Sequence, residues 1–252
     1  MNRSRRLVPL VPALAVVAAV LLWGYTGLPD FGSRLPEYGT VINHVVQGQR
    51  HVTNFVAAVM FDYRGMDTLV EEFILFTSVL GLALLLRSTR KIEEHPPHDV
   101  VVSDAARTGG GLLAPVLVLF GLWVIAFGYI TPGGGFQGGV IASAGALMLW
   151  VSGSFRVFHA AAPSSLLDAA EGLGAAAYVG IGLVGLAAGG AFLYNAIPHG
   201  SAGTLASGGT IAALNWAAGI EVTAAFVLIY REFTEEYLET FAGAGNGAGE
   251  RK

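Results

Sequence analysis

Gly111 to Phe155 reads GLLAPVLVLFGLWVIAFGYITPGGGFQGGVIASAGALMLWVSGSF and contains no Asp, Glu, Lys or Arg. A second block, from Gly172 to Ile220, also lacks these four residue types. A helix that crosses a bilayer needs roughly 20 mostly apolar residues. The first block therefore predicts two spans joined by a short glycine-rich turn. The second predicts one span and half of the next.

The composition of the whole chain agrees with insertion into a membrane. Of the 252 residues, 54% are hydrophobic and 13% are charged, and the mean hydropathy is +0.60. An ordinary soluble domain carries about 25% charged residues, so too few remain here to cover a water-soluble protein of this size. The chain has no cysteine, which excludes disulfides, Cys-ligated zinc and iron–sulfur clusters. The net charge of −4 gives no reason to expect nucleic acid.

We predict an all-α integral membrane protein with about six transmembrane helices plus one interfacial helix. The interfacial helix is His51–Arg64, which is apolar but short for a span, and whose apolar side chains cover one broad face. With this segment outside the bilayer, 11 of the 14 Lys and Arg residues lie on one side, all except Arg34, Arg50 and Arg64. The positive-inside rule makes that side cytoplasmic, together with both termini. The six predicted spans are Leu7–Gly27, Asp67–Leu86, Gly111–Ile130, Phe136–Phe155, Gly172–Tyr194 and Thr210–Tyr230.

A charged stretch that includes Pro96 and Pro97 divides the chain. We expect a two-span module over residues 1–90, which contains the interfacial helix 51–64. A linker over 91–108 follows, then a four-span domain over 109–232 and a short cytoplasmic tail over 233–252.

Carboxylates inside the predicted spans are candidates for an ion or proton pathway. Glu221 stands ten residues before Arg231, which places it about 15 Å from the cytoplasmic boundary. An isolated carboxylate near the bilayer centre costs at least ~2.5 kcal/mol, and such residues usually mark ion or proton pathways. Glu71 and Glu72 lie about one turn into the second span, and Asp67 shares the helical face of Glu71. The alternative for Glu221 is a protonated side chain that hydrogen-bonds a neighbouring helix for assembly.

A polar cluster forms the junction before the second span. Gly65 permits a sharp break between the interfacial helix and the span. Asp67 or Thr68 is a candidate cap for the new helix. Asp62 and Arg64 complete the junction, in which Arg64 pairs with a carboxylate.

The loop between the third and fourth spans is rich in glycine. It contains the spacing GxGxxG, but a membrane span precedes it and no acidic residue follows about 20 positions later, so a dinucleotide site is rejected. Glycine at these positions allows a tight reversal and close contact with another helix. The loop residues singled out are Pro132, Gly133, Gly134, Gly135, Phe136, Gly138 and Gly139.

Two further features belong to the fifth span. Asp168 and Glu171 precede it and are interpreted as partners of the positive end of the helix dipole. Gly185 and Gly189 form a small-residue face for packing, within the chain or toward another subunit. No Ser or Thr has an evident intramembrane His partner, so we predict neither an enzyme nor a cofactor or metal site.

The N-terminal half resembles a known family of membrane proteins. Glu37-Tyr38, Val52-Thr53-Asn54 and Phe61 to Thr68, followed by Glu71, are similar to the C-terminal end of the large A subunit of Mrp-type multisubunit sodium/proton antiporters. The same segment occurs as the small E subunit of related membrane-bound hydrogenases. The typical E-like motif has Phe where Tyr63 and Met66 stand and Gly where Val70 stands, while every charged position is kept.

The C-terminal half resembles another subunit of the same antiporters. Thr131 to Gly139, TPGGGFQGG, is similar to the signature of the B subunit, the MnhB domain, and Gly219-Ile220-Glu221-Val222 fits that domain too. The pair of matches implies a fusion of an E-like module, over 1–90, with an MnhB-like domain, over 109–232.

The resemblance implies a membrane subunit of a multisubunit monovalent cation (Na⁺)/proton antiporter in the cell membrane. Its implied partners are the large A- and D-type and the small C-, E-, F- and G-type subunits, with Na⁺, H⁺ and lipid. The two lysines, Lys91 and Lys252, lie outside the predicted spans, so the Lys–Glu relay of the large pumping subunits is not here. Two alternatives stay open: a membrane-arm subunit of a hydrogenase-like redox complex, and a purely structural scaffold.

Overall fold

A computed structural model describes residues 3–28, 32, 37–87, 103–153 and 155–249. In these residues the regular structure is helical, with no strand. One helix, α3, continues directly into a wider π-type turn over Val59–Tyr63. The helices are α1 Arg3–Thr26, α2 Glu37–Arg50, α3 Phe55–Ala58, α4 Gly65–Arg87, α5 Asp104–Ala126, α6 Gly135–Val151, α7 Phe155–Ala161, α8 Ser164–Gly189 and α9 Thr210–Gly249.

The predicted all-α membrane fold is confirmed. In the described part of the chain, four helices are long and apolar enough to cross a bilayer, namely α4, α5, α8 and α9, and the apolar helices of Pro12–Thr26 and Gly135–Val151 are shorter. Each of the six predicted spans coincides with one of them. α9 continues as a helix to Gly249, so the tail predicted from residue 233 extends the last span.

The chain divides into two compact units, Met1–His44 and Val45–Lys252. The first contains α1 and the first half of α2. In the second, α4 packs against α8 and α9, so the second predicted span shares a core with the four C-terminal ones. Most of the predicted linker lies outside the described residues, and the module boundary at residue 90 stays a prediction.

α9 is the central helix of the second unit. It contacts α4, α5, α6 and α8. In the most apolar 18-residue stretch of α9, 67% is buried inside the protein, compared with 17% for α4 and 28% each for α5 and α8. α5 and α6 form a hairpin in which glycines bring the backbones together. A Cβ at Gly138 would lie 2.6 Å from Ile125 Cγ1 and 2.7 Å from the carbonyl oxygen of Gly121. This close approach is how apolar helices pack when no water drives them together.

The predicted interfacial helix over 51–64 begins later than expected. His51 has a φ of +55°, and the helix starts after Asn54, whose side-chain oxygen accepts from the N–H groups of Val56 and Ala57. The prediction of one helix from residue 51 was therefore wrong. Val52, Ala58 and Phe61 are buried in the protein. From Phe55 to Tyr63 the helical path is about 14 Å long, far less than the ~30 Å of a hydrocarbon core.

The fifth predicted span ends earlier than Tyr194. Gly190 adopts the left-handed conformation that ends α8, as glycine does at many helix C-termini. The chain then folds back, so that the Leu193 N–H donates to the Gly182 carbonyl at 3.2 Å. Tyr194 packs against Gly185 and Gly189. The predicted small-residue face thus packs within the chain.

We expect Gly138→Ala to destabilise the protein, because the added Cβ overlaps α5. Overpacking of this kind costs about 1–3 kcal/mol, which exceeds the roughly 1 kcal/mol that Ala gains over Gly in a helix. Thermal unfolding of the detergent-purified protein measures the effect. The matched control is Gly180→Ala, since a Cβ at Gly180 meets no atom within 4 Å, and it is expected to keep or raise the unfolding temperature. Equal behaviour of the two variants would contradict the packing account.

Candidate functional site

Two asparagines hold the glycine-rich loop in place. Asn54 donates through Nδ2 to the carbonyls of Gly128 at 2.6 Å and Thr131 at 3.1 Å. Asn215, which is fully buried on α9, accepts from the Gly135 N–H at 2.6 Å and donates to the Ile125 carbonyl at the same distance. The loop is therefore a fixed structure that joins α3 to α9, and not only a reversal.

Asn54 enters the sequence-based prediction only within a motif, and Asn215 is not predicted to be an anchor. Asn215 is a polar amide within a block that has no charged residue, and this was the sequence signal that could have identified it. Close packing adds to these hydrogen bonds. A Cβ at Gly128 would lie 2.6 Å from Gly134 Cα, so the loop backbone folds tightly on itself.

A small cleft opens beside this loop. Its volume is about 40 Å³, and a single water needs about 10–15 Å³. The segments that form it are α3 with its π-type turn, α4, the glycine-rich loop, the beginning of α6, and α9. Its lining residues are Val56, Ala57, Met60, Phe61, Thr68, Glu71, Glu72, Gly133, Gly134, Phe136, Gln137 and Ala218. The cleft thus unites residues from both stretches that carry the family resemblance.

The structure separates the two adjacent glutamates of α4. Glu71 is exposed at the cleft, whereas Glu72 is 1% exposed and points into the helix bundle. Glu221 of α9 is 0% exposed, and its carboxyl group is close enough to that of Glu72 to interact with it directly. The oxygens of both carboxyl groups have no hydrogen-bond donor among the described residues. A buried carboxylate without a partner is expensive, so this pair needs a proton, a cation or water.

α8 forms the other wall around Glu221. A Cβ at Gly174 would lie 2.6 Å from Glu221 Cβ, so glycine is what allows the two helices to meet there. Tyr178, one turn further along α8, is buried beside Glu72 and donates to the Gly65 carbonyl at 3.0 Å. Sequence reasoning missed Tyr178.

Glu171 lies three residues before Gly174 on the same helix. It is 6% exposed, and one of its oxygens is buried without a partner in the described part of the chain. Asp168 and Glu171 are predicted from the sequence to precede the span as dipole partners. This prediction was wrong for both, because α8 begins at Ser164 and has no acidic residue in its first turn. Glu171 is about two turns into the helix.

The junction residues form ion pairs away from the buried carboxyls. Asp62 pairs with Arg50, whose guanidinium carbon lies 5.2 Å from the ring centroid of Tyr63. Arg64 pairs with Asp67 at the exposed beginning of α4. Asp67, a pathway candidate from the sequence, is therefore not brought beside Glu72 and Glu221.

Gly65 and Thr68 have roles other than the predicted ones, a sharp break at Gly65 and a helix cap at Thr68. The chain breaks at Arg64, with φ −132° and ψ 34°, and Gly65 is the first residue of α4. A Cβ on Gly65 would lie 3.1 Å from Leu193 Cδ1, so this glycine permits close approach instead of a sharp bend. The Thr68 hydroxyl donates to the Met60 carbonyl at 2.7 Å, which ties α4 to the π-type turn.

A histidine pair lies at the same end of the second unit. The ring centroids of His51 and His199 are 5.9 Å apart, and His51 Nδ1 lies 2.5 Å from the Gly200 carbonyl oxygen. Burial, and then the nearby Arg50 and His51, lower the pKa of His199. His199 is thus neutral at pH 7, as its ordinary pKa near 6.5 already favours.

Comparison with known proteins agrees with this architecture. Residues 105–228 match a family described as a domain related to the MnhB subunit of Na⁺/H⁺ antiporter. An uncharacterized protein of Methanocaldococcus jannaschii is 30% identical over 205 residues, which cover 72% of this chain and 74% of that protein.

Two solved membrane complexes contain similar chains. A chain of the membrane-bound sulfane sulfur reductase, an archaeal respiratory membrane complex, matches with a TM-score of 0.71 and 29% identity, over 90% of this chain and 97% of that chain. A chain of the Mrp complex from Dietzia sp. DQ12-45-1b matches with a TM-score of 0.67 and 23% identity, over 92% of this chain and 26% of that chain. The second likeness is one of fold.

These findings confirm the predicted resemblance to an MnhB-type subunit. The protein is a multi-pass membrane subunit of a cation/proton antiporter-type complex and is not an enzyme. The matched range contains the glycine-rich loop, Glu171 and Glu221, and it spans α5 to α9. The chain belongs to the family of proteins that carry an MnhB-related domain.

Proposed function

We propose that the chain is a membrane subunit of a monovalent cation/proton antiporter that exchanges cytoplasmic Na⁺ for external H⁺, and that Glu71, Glu72 and Glu221 border its ion route. The observation that carries this proposal is the pair of buried carboxyls, Glu72 and Glu221, which face each other and receive no hydrogen bond from any other described residue. A purely structural glutamate pair would gain from hydrogen-bond donors that this site does not supply.

The cleft is the side from which the proposed route approaches this pair. Glu71 is exposed there and Glu72 lines the same space, so a proton or cation that enters meets Glu71 first and Glu72 next. Asp67 belongs to the entrance, since it is exposed and paired with Arg64. The positive-inside rule makes this end external, in the cell membrane, with both termini cytoplasmic.

The proposed partners follow from what this chain does not contain. Its two lysines, Lys91 and Lys252, lie outside the six spans predicted from the sequence. The pumping relay therefore belongs to large A- and D-type subunits, with small C-, E-, F- and G-type subunits beside them. The contacts of Asn54 with the glycine-rich loop support a fusion in which an E-like segment completes an MnhB-like domain.

A second candidate function is a membrane-arm subunit of a redox-driven complex. It is favoured by the match to a chain of the sulfane sulfur reductase complex, which covers 97% of that chain. The same carboxyl pair would then serve a complex that is powered by electron transfer.

Co-purification separates these two functions. We expect a tagged chain, extracted from its native membrane in a gentle detergent, to bring large antiporter-type subunits without metal-cluster proteins, as identified by mass spectrometry. An untagged membrane is the control for unspecific capture. Metal-cluster subunits in the eluate would show that the chain belongs to a redox complex. A monodisperse single chain would contradict the proposal of an obligate subunit.

Glu221→Gln and Glu72→Gln test the route directly. Each keeps the shape of the side chain and removes its titratable group, so we expect Na⁺/H⁺ exchange in vesicles to fall at least about tenfold, which corresponds to a barrier roughly 1.4 kcal/mol higher. Native gel electrophoresis measures the intact complex in parallel. Asp104→Asn, an exposed carboxylate in the first turn of α5, is the matched control and should exchange at the normal rate.

The same variants distinguish a scaffold. A scaffold predicts less assembled complex with an unchanged rate per complex. If both Gln variants assemble normally and exchange at the normal rate, the pathway assignment is wrong.

A further inference from the structure

We propose that protons leave the Glu72–Glu221 pair along α8, through Glu171 to Asp168, so that this one chain carries a row of carboxyls from one end of the bundle toward the other. The inference rests on the proposed function and adds the part of the route by which protons leave the buried pair. Glu171 and Asp168 take the role of proton carriers here.

The first support is the burial of three carboxyls. Glu72 on α4, Glu221 on α9 and Glu171 on α8 are 1%, 0% and 6% exposed. Glu72 and Glu221 face each other, and apart from this contact their oxygens and one oxygen of Glu171 have no hydrogen-bond partner among the described residues. Three helices thus each place in the interior a carboxyl that no other described side chain donates to.

The second support is the contact between α8 and α9. Gly174 meets Glu221 directly, at 2.6 Å between the position of its missing Cβ and Glu221 Cβ. Residues three apart on a helix lie on one face, about one turn from each other. Glu171 is therefore one turn from the contact with Glu221, and Asp168 is one turn beyond it. Glu171 is within electrostatic reach of both.

The third support is the direction of the helices. Tyr178 of α8 donates to the Gly65 carbonyl at the beginning of α4. Further along α4, Glu72 lies beside Glu221, which meets Gly174, a residue that precedes Tyr178 on α8. The two helices therefore run antiparallel.

Glu72 is seven residues into α4, about 10 Å from the beginning of that helix. Asp168 is exposed and lies four residues, about 6 Å, from the opposite end at Ser164. The row therefore connects an exposed carboxyl near one end, Glu71, to an exposed carboxyl near the other.

The chemistry of each step is a single proton transfer. A protonated carboxyl donates to water or to the neighbouring carboxylate, and the acceptor becomes the next donor. Each carboxyl in the row has titratable neighbours. Glu71 and Tyr178 lie near Glu72. Glu72 and Glu171 lie near Glu221, and Asp168 lies near Glu171. Among the described residues, the charged groups that act on the three buried carboxyls are other acids, so each negative charge on these three requires a proton or cation to neutralise it.

Glu171→Gln in the complete complex is the decisive variant. We expect Na⁺/H⁺ exchange in vesicles to fall at least about tenfold, with the amount of assembled complex unchanged. Glu171→Asp, which keeps a titratable group one methylene shorter, should recover part of the rate with a shifted pH profile, whereas a structural role would be met better by Gln. Asp104→Asn is again the matched control.

The outcomes separate this inference from the proposed function. If Glu171→Gln exchanges normally while Glu221→Gln does not, the route does not leave through α8 and the proposed function stands. If Glu221→Gln also exchanges normally, both fail.

Carbodiimide labelling tests the unmutated complex, in case Glu171→Gln does not assemble. Dicyclohexylcarbodiimide reacts with protonated carboxyls in apolar surroundings, and mass spectrometry locates the adduct. We expect an adduct on Glu171 that forms in step with the loss of exchange. Labelling of Glu72 or Glu221 with none on Glu171 would overturn the proposal.

Discussion

The rest of the structure depends on the close approach of two helices to α9 at the level of Glu221. A Cβ at Gly139 of α6 would lie 2.9 Å from Val222 Cβ, and one at Gly174 of α8 would lie 2.6 Å from Glu221 Cβ. In lipid the hydrophobic effect does not drive helices together, so close packing between their backbones supplies much of the association energy. Glycine at these two positions brings α6 and α8 against α9 and closes the interior around the glutamate.

Closing the interior in this way buries the carboxyl groups of Glu72 and Glu221, which is energetically unfavourable. Carboxyl groups inside apolar surroundings are unfavourable unless they are neutral, paired or hydrated. Glu72 and Glu221 receive no hydrogen bond from the described residues, while nearby polar groups such as Asn215 and Thr68 satisfy backbone partners instead. Asn215 and Thr68 are thus bonded to the backbone, whereas the two buried glutamates are left facing each other. The proposed ion route uses these two acids, which in apolar surroundings need a proton, a cation or water.

The two stretches that carry the family resemblance are far apart in sequence and meet in space. Asn54 bonds the loop at Gly128 and Thr131, and the cleft takes residues from α3, α4, the loop and α9. The segment of residues 52–72 is therefore part of the same core as the MnhB-related domain. Each stretch contributes one side of the cleft.

The sequence by itself determined the membrane class, the six apolar segments and the intramembrane position of Glu221, because hydropathy and the length of a span are local properties of the chain. The glycine motifs and Glu71-Glu72 were also visible locally. Only the tertiary structure decided which of the adjacent glutamates faces inward, because that choice depends on how α4 is rotated against α9. It also decided that Glu171 is buried, that Asn215 anchors the loop and that Asp67 pairs with Arg64 outside the site. These are contacts between segments far apart in sequence, and no periodicity within one segment encodes its partner on another.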